Sequence, residues 1–208
     1  MRCGKIVCVG QNYREHIREM RSDEPSEPVL FLKPSTALIS DGESIIIPHG
    51  IGAVHHEVEL ALIVGKGGKD IAEGEALSRI SHVAVLNDIT ARDVQSAARK
   101  AGLPWALAKG MDTFAPLGEP VPLDLVPDIH SLDLELRVNG EPRQKGNTAH
   151  MIFPPERLIA YISRFMTLEP GDIIATGTPS GVGPLRPGDV VEAMVHGVGT
   201  LRNPVRAR

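Results

Sequence analysis

Glu57 and Glu59, separated by a single residue, are the part of this sequence that most directly indicates chemistry. They open the run Glu57–Val64, which we expect to form a β-strand, and residues two apart on a strand point to the same face. Like charges side by side on one face repel each other and destabilise a sheet. Because the same face continues as Ala61 and Ile63, the carboxylates lie at the mouth of an apolar face, where unpaired charge is costly. This arrangement favours a cation between them over an ordinary solvated strand face.

A third carboxylate follows a second apolar run. Asp88 comes directly after His82–Asn87, which reads as another strand. Three carboxylates without a thiol are typical of a site for a hard divalent cation such as Mg²⁺ or Mn²⁺, which takes oxygen ligands. We therefore expect Glu57, Glu59 and Asp88 to be metal ligands.

A second candidate group lies near the start of the chain. His16 and Glu19 are three residues apart in a predicted helix, Tyr13–Met20, and so share one face. A carboxylate beside an imidazole orients it and makes it a better base. The segment follows a strand that ends at Gly10, an arrangement typical of a mobile flap. The alternative is an exposed charged helix with no catalytic role.

Further polar residues could bind an anionic substrate. Arg92 and Gln95 follow the third carboxylate and lie near one side of a predicted helix, Asp93–Ala101, unless Arg92 is only a surface residue. Lys109 stands among apolar neighbours, where it either extends to solvent or supplies positive charge to a pocket. The turn Thr176–Gly183 is not a phosphate loop, because it lacks the Lys-Ser/Thr ending, but its hydroxyls and amides could bind a carboxylate.

Composition limits the possible classes of function. The chain has 208 residues, 42% of them hydrophobic and 23% charged, as in soluble globular proteins. A net charge of −4 gives no basic surface for nucleic acid or an anionic membrane. No long apolar span occurs, and the N-terminus enters a predicted strand at once, so we expect no signal peptide. Cys3 and Cys8 lack a zinc or redox spacing, and we expect reduced thiols and a cytoplasmic protein.

The predicted elements are mostly strands. Their ranges are Lys5–Val9, Val29–Lys33, Ser44–Ile47, Glu57–Val64, Val83–Asn87, Leu132–Val138, Asp172–Thr176, Val190–Val195 and Gly199–Val205. Predicted helices are limited to Tyr13–Met20, Glu73–Ile80, Asp93–Ala101 and Pro155–Phe165. Asn139-Gly140 is a strong signal for a hairpin turn. With 21 glycines and 17 prolines, the chain is rich in turns, and we expect one domain over residues 1–208, mainly β with short peripheral helices.

Taken in order, these motifs resemble the fumarylacetoacetate hydrolase family over nearly the whole chain. The segments that carry the resemblance are Gly10–Tyr13 with His16 and Glu19, Lys33-Pro34, His56–Leu60, Asn87–Asp93, Lys109-Gly110 and Gly171–Pro179. Two further segments, Pro28–Thr36 and Gly102–Trp105, are most similar to the acylpyruvase and oxaloacetate decarboxylase branch. The resemblance implies a mixed β-roll, a homodimer and a Mg²⁺ or Mn²⁺ site.

The resemblance also implies roles for individual residues. By motif position, Glu57, Glu59 and Asp88 correspond to metal ligands, and His16 and Glu19 correspond to a catalytic dyad on a lid helix within residues 1–30. Lys109 corresponds to a catalytic residue that also contacts substrate, and the other substrate-contacting positions are Arg92, Gln95 and Thr178. A mitochondrial transit segment, expected in eukaryotic relatives, is not apparent, which favours a bacterial cytoplasmic protein.

Several reactions are compatible with these residues. The leading expectation is metal-dependent hydrolysis of a carbon–carbon bond in acylpyruvates, with a possible second activity as an oxaloacetate decarboxylase. His16, held by Glu19, would activate the water, and Lys109 would stabilise negative oxygens. The alternative is an isomerase or tautomerase of oxaloacetate or of a 2-hydroxy-dienoic diacid. A non-catalytic, metal-dependent binder of dicarboxylates is a further alternative.

Overall fold

The computed structural model describes residues 3–19 and 23–208. Its strands are β1 (Ile6–Gly10), β2 (Val29–Lys33), β3 (Leu38–Ile39), β4 (Ile45–Ile47), β5 (Val54–His56), β6 (Val58–Val64), β7 (Ile80–Asn87), β8 (Thr90–Ala91), β9 (Ala115–Pro116), β10 (Val121–Pro122), β11 (Asp133–Val138), β12 (Glu141–Asn147), β13 (Ile173–Ala175), β14 (Gly183–Leu185), β15 (Val190–Val195) and β16 (Gly199–Ala207). Its α-helices are α1 (Arg14–Glu19), α2 (Glu73–Ala76), α3 (Arg92–Lys100), α4 (Ala106–Lys109) and α5 (Pro155–Phe165). Short 3₁₀ turns occupy Ser35–Ala37, Leu77–Arg79, Leu123–Leu125 and Thr148–His150. The fold is mainly β, as the sequence predicts.

A six-stranded sheet, in the order β10–β7–β6–β13–β1–β2, determines where the functional residues meet. β6 is antiparallel to both of its neighbours, β7 and β13. In an antiparallel pair, the start of one strand lies beside the end of the other. Val58 at the start of β6 accordingly pairs with Asn87 at the end of β7. The residues that flank these two positions, Glu57 and Asp88, are thereby brought together.

Both faces of β6 are covered. Val58, Leu60 and Leu62 belong to the larger of two apolar clusters, while Ala61 and Ile63 pack in the smaller one on the opposite face. The predicted alternation of side chains between the two faces of this strand is therefore confirmed. Burial on both faces explains why the acidic residues at its start have little access to solvent.

A second sheet of five strands, in the order β12–β11–β15–β16–β4, supplies the opposite side of the larger cluster. The predicted hairpin turn joins β11 to β12, and both Asn139 (φ 53°) and Gly140 (φ 82°) adopt the left-handed backbone of a type I′ turn. β12 itself was not among the predicted strands, because its sequence is polar and contains proline and glycine. It is an edge strand, where such residues are tolerated.

The smaller sheets, β14–β5–β8 and β3–β9, connect the segments around the acidic residues. Their strands are only two or three residues long and have no clear sequence pattern, so they were not predicted. Within the described residues, no helix has the length and apolar character needed to cross a membrane.

The helices lie at the periphery. α5 has the predicted bounds, begins at Pro155 and buries Leu158, Ile159 and Ile162 against the core. The helix predicted over Glu73–Ile80 is wrong in its second half. There, α2 passes into a 3₁₀ turn, and the last residue already belongs to β7.

Two helices shift slightly from their predicted bounds. The predicted helix Tyr13–Met20 corresponds to α1, and Met20 lies outside the described residues. The predicted helix Asp93–Ala101 corresponds to α3, which begins one residue earlier at Arg92. The short helix α4 was not predicted.

We expect the double-sided burial of β6 to dominate stability. Leu60→Ala, at a fully buried position, should lower the free energy of unfolding by about 2–5 kcal/mol because it leaves a cavity. Leu107→Ala, at a position that is 77% exposed, is the matched control and should change stability by less than about 0.5 kcal/mol. Equilibrium unfolding in urea measures both, and similar losses would contradict this account of the core.

Candidate active site

Three carboxylates converge where β6 begins and β7 ends. Ligand atoms of Glu57, Glu59 and Asp88 all lie within 4.8 Å of one another, and each residue is buried. The backbone fixes two of these residues relative to each other, because the Asp88 amide donates to the Glu57 carbonyl at 2.8 Å. The third, Glu59, is held by the amide of Gly177, which donates to its Oε2 at 2.8 Å. The sequence-predicted ligands therefore form one cluster.

Cationic side chains neutralise two of these carboxylates. Lys109 Nζ lies 2.9 Å from Glu57 Oε2 and 2.5 Å from Asp88 Oδ2. Arg92 forms an ion pair with the other oxygen of Glu57. Lys109 is also 4.7 Å from the centre of the Phe31 ring, a favourable position for a cation. Positive charge from the protein itself thus lies between Glu57 and Asp88, whereas the cation expected between Glu57 and Glu59 is not supplied by an ion pair to Glu59 among the described residues.

A second buried lysine, Lys33, lies beside Asp88 and hydrogen-bonds to the backbone around the cluster. Its Nζ donates to the backbone carbonyls of Ile89, Lys109 and Phe114 at 3.0, 2.5 and 2.7 Å. These bonds use all of its protons. Asp88 Oδ1 lies 2.8 Å from the same Nζ but receives no hydrogen bond from any described residue. This oxygen is consequently a buried acceptor in need of a partner.

The charges shift the pKa values of the cluster in different directions. Burial alone would raise the pKa of Glu57, but Lys109 and Arg92 outweigh it and lower that pKa. Burial and the neighbouring Asp88 and Glu57 raise the pKa of Glu59 well above its usual range. Burial would lower the pKa of Lys109, yet Asp88 and Glu57 outweigh it and raise that pKa. Glu59 is the carboxylate that lacks a cation of its own.

These residues fit a hard divalent cation. The donors are carboxylate oxygens, which suit Mg²⁺ or Mn²⁺. Asp88 Oδ1 has no hydrogen-bond donor, and Glu59 has no cationic partner among the described residues. A divalent ion would satisfy both groups, and Glu57, Glu59 and Asp88 are the residues that could hold it.

α1 brings the predicted dyad to the same place. His16 is buried and its Nδ1 lies 3.1 Å from Glu19 Oε2. Both carboxylate oxygens of Glu19 also accept from the amide of Gly181, at 3.1 and 3.2 Å. The dyad is therefore tied to the glycine-rich turn that follows β13, and the imidazole has a defined orientation.

Asn12 anchors the chain just before α1. Its Nδ2 donates to the carbonyls of Thr176 and Phe153 at 2.7 and 3.0 Å, and its Oδ1 accepts from the amide of Phe153 at 2.8 Å. The preceding residue, Gln11, has a left-handed backbone (φ 59°), which turns the chain sharply. The helix thus starts from a fixed point; the sequence placed Asn12 within the motif Gly10–Tyr13 but gave it no role of its own.

The predicted substrate-contacting residues lie at the site, but some of their hydrogen-bonding groups already bond to other protein atoms. Arg92 Nη1 donates to Gln95 Oε1 at 2.5 Å, so these two act as a unit. Thr178 Oγ1 donates to the carbonyl of Val58 and accepts from Gln144 Nε2, both at 2.8 Å. The Thr178 hydroxyl proton is therefore committed to the backbone of β6.

These groups surround a cavity of about 40 Å³. Its lining includes the three carboxylates, His16, Lys109, Arg92, Gln95 and Thr178, and also Phe31, Arg99 and Trp105, which sequence reasoning did not single out. Lys33 was noted only within a motif. Its position among apolar residues, the same signal that drew attention to Lys109, could have identified it. Phe31 and Trp105 likewise lay within the segments Pro28–Thr36 and Gly102–Trp105 without being assigned a role, and nothing local in the sequence marks Arg99.

Comparison with known proteins identifies the family. Residues 5–206 match the family described as fumarylacetoacetate (FAA) hydrolase C-terminal. The chain belongs to the fumarylacetoacetate hydrolase family. The resemblance inferred from the sequence motifs is therefore confirmed.

Individual relatives carry several different activities. The chain is 49% identical to the mitochondrial oxaloacetate tautomerase FAHD1 of Bos taurus over 197 residues, which are 95% of this chain and 89% of that protein. It is similar to the structure of fumarylpyruvate hydrolase from Pseudomonas aeruginosa in complex with Mn²⁺ and pyruvate, with a TM-score of 0.95 and 35% identity over 99% of this chain and 91% of that one. It is also similar to 5-carboxymethyl-2-hydroxymuconate delta-isomerase from Mycobacterium smegmatis, with a TM-score of 0.90 and 43% identity over 100% of this chain and 80% of that one. Relatives thus include a tautomerase, a hydrolase and an isomerase.

We expect Glu59→Gln to weaken Mn²⁺ binding by about 100-fold or more, because even loss of an outer-shell partner costs about 10–100-fold. Gln keeps the shape of the side chain, so the fold should persist. Calorimetric titration of Mn²⁺ measures the effect. Glu141→Gln, at an exposed position on β12, is the control. Equal affinities of the two variants would remove Glu59 from the metal site.

Lys109→Met should have the opposite effect on metal affinity. Its ammonium repels a divalent ion held by the same carboxylates, so its removal should tighten Mn²⁺ binding by about tenfold or more. Lys145→Met, at an exposed position, is the control in the same titration. Weaker or unchanged binding would show that Lys109 does not compete with the metal.

Proposed function

We propose that this protein is a Mg²⁺- or Mn²⁺-dependent enzyme that interconverts the keto and enol forms of a small 2-oxo acid, with oxaloacetate as the leading substrate. One observation carries the proposal: the carboxylate-held imidazole of His16 lines the same small cavity as the buried acidic cluster and Lys109. Tautomerisation needs a group that carries a proton and a means to stabilise an enolate oxygen. The identity of 49% to an oxaloacetate tautomerase supports the same reading.

The charged residues would bind and orient the substrate. Glu57, Glu59 and Asp88 would hold the divalent ion, which supplies Lewis acidity toward the 2-oxo group. Arg92 and Gln95 present hydrogen-bond donors at the cavity and would hold a substrate carboxylate. These contacts fix the carbon next to the 2-oxo group relative to the dyad.

His16 would move the proton. Held by Glu19, its imidazole would take a proton from the carbon next to the 2-oxo group and deliver it to the 2-oxo oxygen, which gives the enol; the reverse reaction moves the same proton from that oxygen back to the carbon. Lys109 would donate hydrogen bonds to the oxygen on which negative charge develops. The reaction consumes no water.

Hydrolysis of acylpyruvates is the second candidate. The His16–Glu19 pair is also an arrangement that can activate water. The structural relative from Pseudomonas aeruginosa, a fumarylpyruvate hydrolase, supports this candidate. Decarboxylation of oxaloacetate would use the same binding groups without a water, and it remains a possible second activity.

The homodimer and the cytoplasmic location stay predictions. Analytical ultracentrifugation of the purified chain tests the first. A dimer at micromolar concentration would support it, and a monomer would contradict it. Fluorescence microscopy of a tagged protein in its native host tests the second.

The decisive assay follows the enol absorbance of oxaloacetate with and without Mg²⁺ and measures pyruvate in the same tube. We expect faster loss of the enol signal only with metal and without pyruvate. Pyruvate from oxaloacetate would indicate decarboxylation instead. Acetylpyruvate run in parallel tests hydrolysis, since metal-dependent pyruvate release there would favour the second candidate. Tight binding without turnover of either acid would indicate a binder and contradict an enzyme.

We expect His16→Ala to slow the metal-dependent reaction by about 10²–10⁴-fold, the usual contribution of a general base. Mn²⁺ affinity should change little, because His16 is not among the expected ligands. Arg18→Ala, an exposed position on the same helix, is the control and should retain activity. A fully active His16→Ala enzyme would rule out the proton-transfer role.

A further inference from the structure

Gln144 is a buried polar residue on β12 to which the proposed function assigns no role, and a β-bulge explains its burial. It is 1% exposed and pairs with Leu136 of β11. The next residue of β11, Arg137, pairs with Pro142, which leaves Arg143 as the extra residue of β12. In a ladder that continued regularly from the hairpin turn, Leu136 would face Arg143, and Gln144 would point to the opposite face. The bulge therefore turns the carboxamide of Gln144 inward.

The carboxamide of Gln144 uses all of its hydrogen-bonding atoms. Its Oε1 accepts from the backbone amide of Val58 at 3.1 Å and lies 2.9 Å from His56 Nδ1. Its Nε2 donates to Thr178 Oγ1 at 2.8 Å and to the carbonyl of Pro179 at 2.9 Å. A backbone amide can only donate and a carbonyl can only accept, so these bonds fix which way the carboxamide faces. One side chain thus joins the β5–β6 junction to the glycine-rich turn after β13.

Three of these groups form a closed ring around the start of β6. Gln144 binds the amide of Val58, and Thr178 Oγ1 donates to the carbonyl of the same residue at 2.8 Å. The bond between Gln144 and Thr178 closes the ring. Val58 is the residue between Glu57 and Glu59, so the ring fixes the backbone from which both carboxylates project.

The same turn holds two functional carboxylates from its two ends. The amide of Gly177 donates to Glu59 Oε2 at 2.8 Å. The amide of Gly181 donates to both carboxylate oxygens of Glu19, at 3.1 and 3.2 Å. The two turn residues that Gln144 binds lie between these glycines in the chain. Gln144 therefore supports the middle of a segment that contacts the metal-binding carboxylates at one end and the dyad at the other.

The turn also lies directly against the backbone of β12. A Cβ built on Gly146 would lie 2.5 Å from the Cβ of Pro179. A Cβ built on Gly181 would lie 2.2 Å from the carbonyl oxygen of Arg143. No side chain fits between the two segments, so a displacement of β12 would be transmitted to the turn.

We propose that Gln144 is a positioning residue that holds the glycine-rich turn and the start of β6, and thereby the carboxylates of Glu59 and Glu19. It is not among the residues that line the active-site cavity. It acts through Thr178 and the backbone of Val58 rather than on a substrate. This inference rests on the metal site of the proposed function, and its effect on metal binding can be measured without a substrate.

Gln144→Met tests this role, because it keeps the length of the side chain and removes every hydrogen bond of the carboxamide. Calorimetric titration without substrate should show Mn²⁺ affinity about tenfold lower or more, and the rate at saturating Mn²⁺ and oxaloacetate should also fall by about tenfold or more. Lys145→Met, at an exposed position of the same strand, is the control and should change neither quantity. Urea unfolding establishes that each variant is folded under the assay conditions.

A double-mutant cycle separates positioning through the turn from a general loss of stability. Thr178→Val removes the hydroxyl at the other end of the contact and should weaken Mn²⁺ binding, whereas Thr178→Ser keeps the hydroxyl and should bind as the wild type does. Because the two residues act as one unit, Gln144→Met/Thr178→Val should bind Mn²⁺ about as well as the weaker single variant. Losses that multiply in the double variant would overturn the proposal, and so would unchanged Mn²⁺ affinity of folded Gln144→Met. If Gln144→Met does not fold, the comparison of Thr178→Val with Thr178→Ser decides alone.

Failure of this proposal and failure of the proposed function give different results. A wild-type protein that binds Mn²⁺ but converts no 2-oxo acid would contradict only the proposed function, because the titrations would still decide the role of Gln144. A wild-type protein that binds no Mn²⁺ would overturn both.

Discussion

The neutralisation of buried negative charge is the constraint on which the rest of this structure depends. Three carboxylates lie within 4.8 Å of one another with little access to water. Removing such groups from water costs several kcal/mol each unless they are paired and hydrogen-bonded. Cations from three separate parts of the chain supply the compensating charge. They are Lys33 at the end of β2, Arg92 at the start of α3 and Lys109 at the end of α4. The positions of these elements relative to the central sheet are therefore coupled through electrostatics as well as through apolar packing.

Lys33 and Lys109 meet different parts of this requirement. Lys33 uses its protons on three backbone carbonyls, so it fixes the path of the chain beside Asp88 rather than saturating the carboxylate. Lys109 bonds directly to two carboxylates and lines the cavity. Lys33 is thus suited to shaping the site, whereas Lys109 is suited to contact with a substrate. Asp88 Oδ1 lies beside the Lys33 ammonium but receives no hydrogen bond, and Glu59 has no ion pair among the described residues, so these are the groups that a metal ion could satisfy.

The sequence was sufficient for the parts that depend on local pattern. Alternation along the predicted strand Glu57–Val64 indicated that Glu57 and Glu59 point the same way, and their ligand atoms do meet although β6 begins only at Val58. Asn139-Gly140 identified the hairpin because both residues adopt a left-handed backbone readily. It was insufficient where residues distant in the chain meet. Gln144 lies on a polar edge strand, yet it is buried and links His56 to Thr178. Nothing in its local sequence indicates this, because its burial results from the packing of β12 against the turn after β13.

Glu19 connects the orientation of the dyad to the position of the glycine-rich turn that follows β13. Its carboxylate holds His16 and accepts from Gly181 in the same arrangement. The imidazole therefore has its defined orientation when α1 is in contact with the glycine-rich turn. Under the proposed function, this contact therefore holds the base at the cavity that Arg92 and Lys109 also line. Proton transfer by His16 is thus tied to the position of α1, and a substrate that displaced α1 would also lose the orientation of the base.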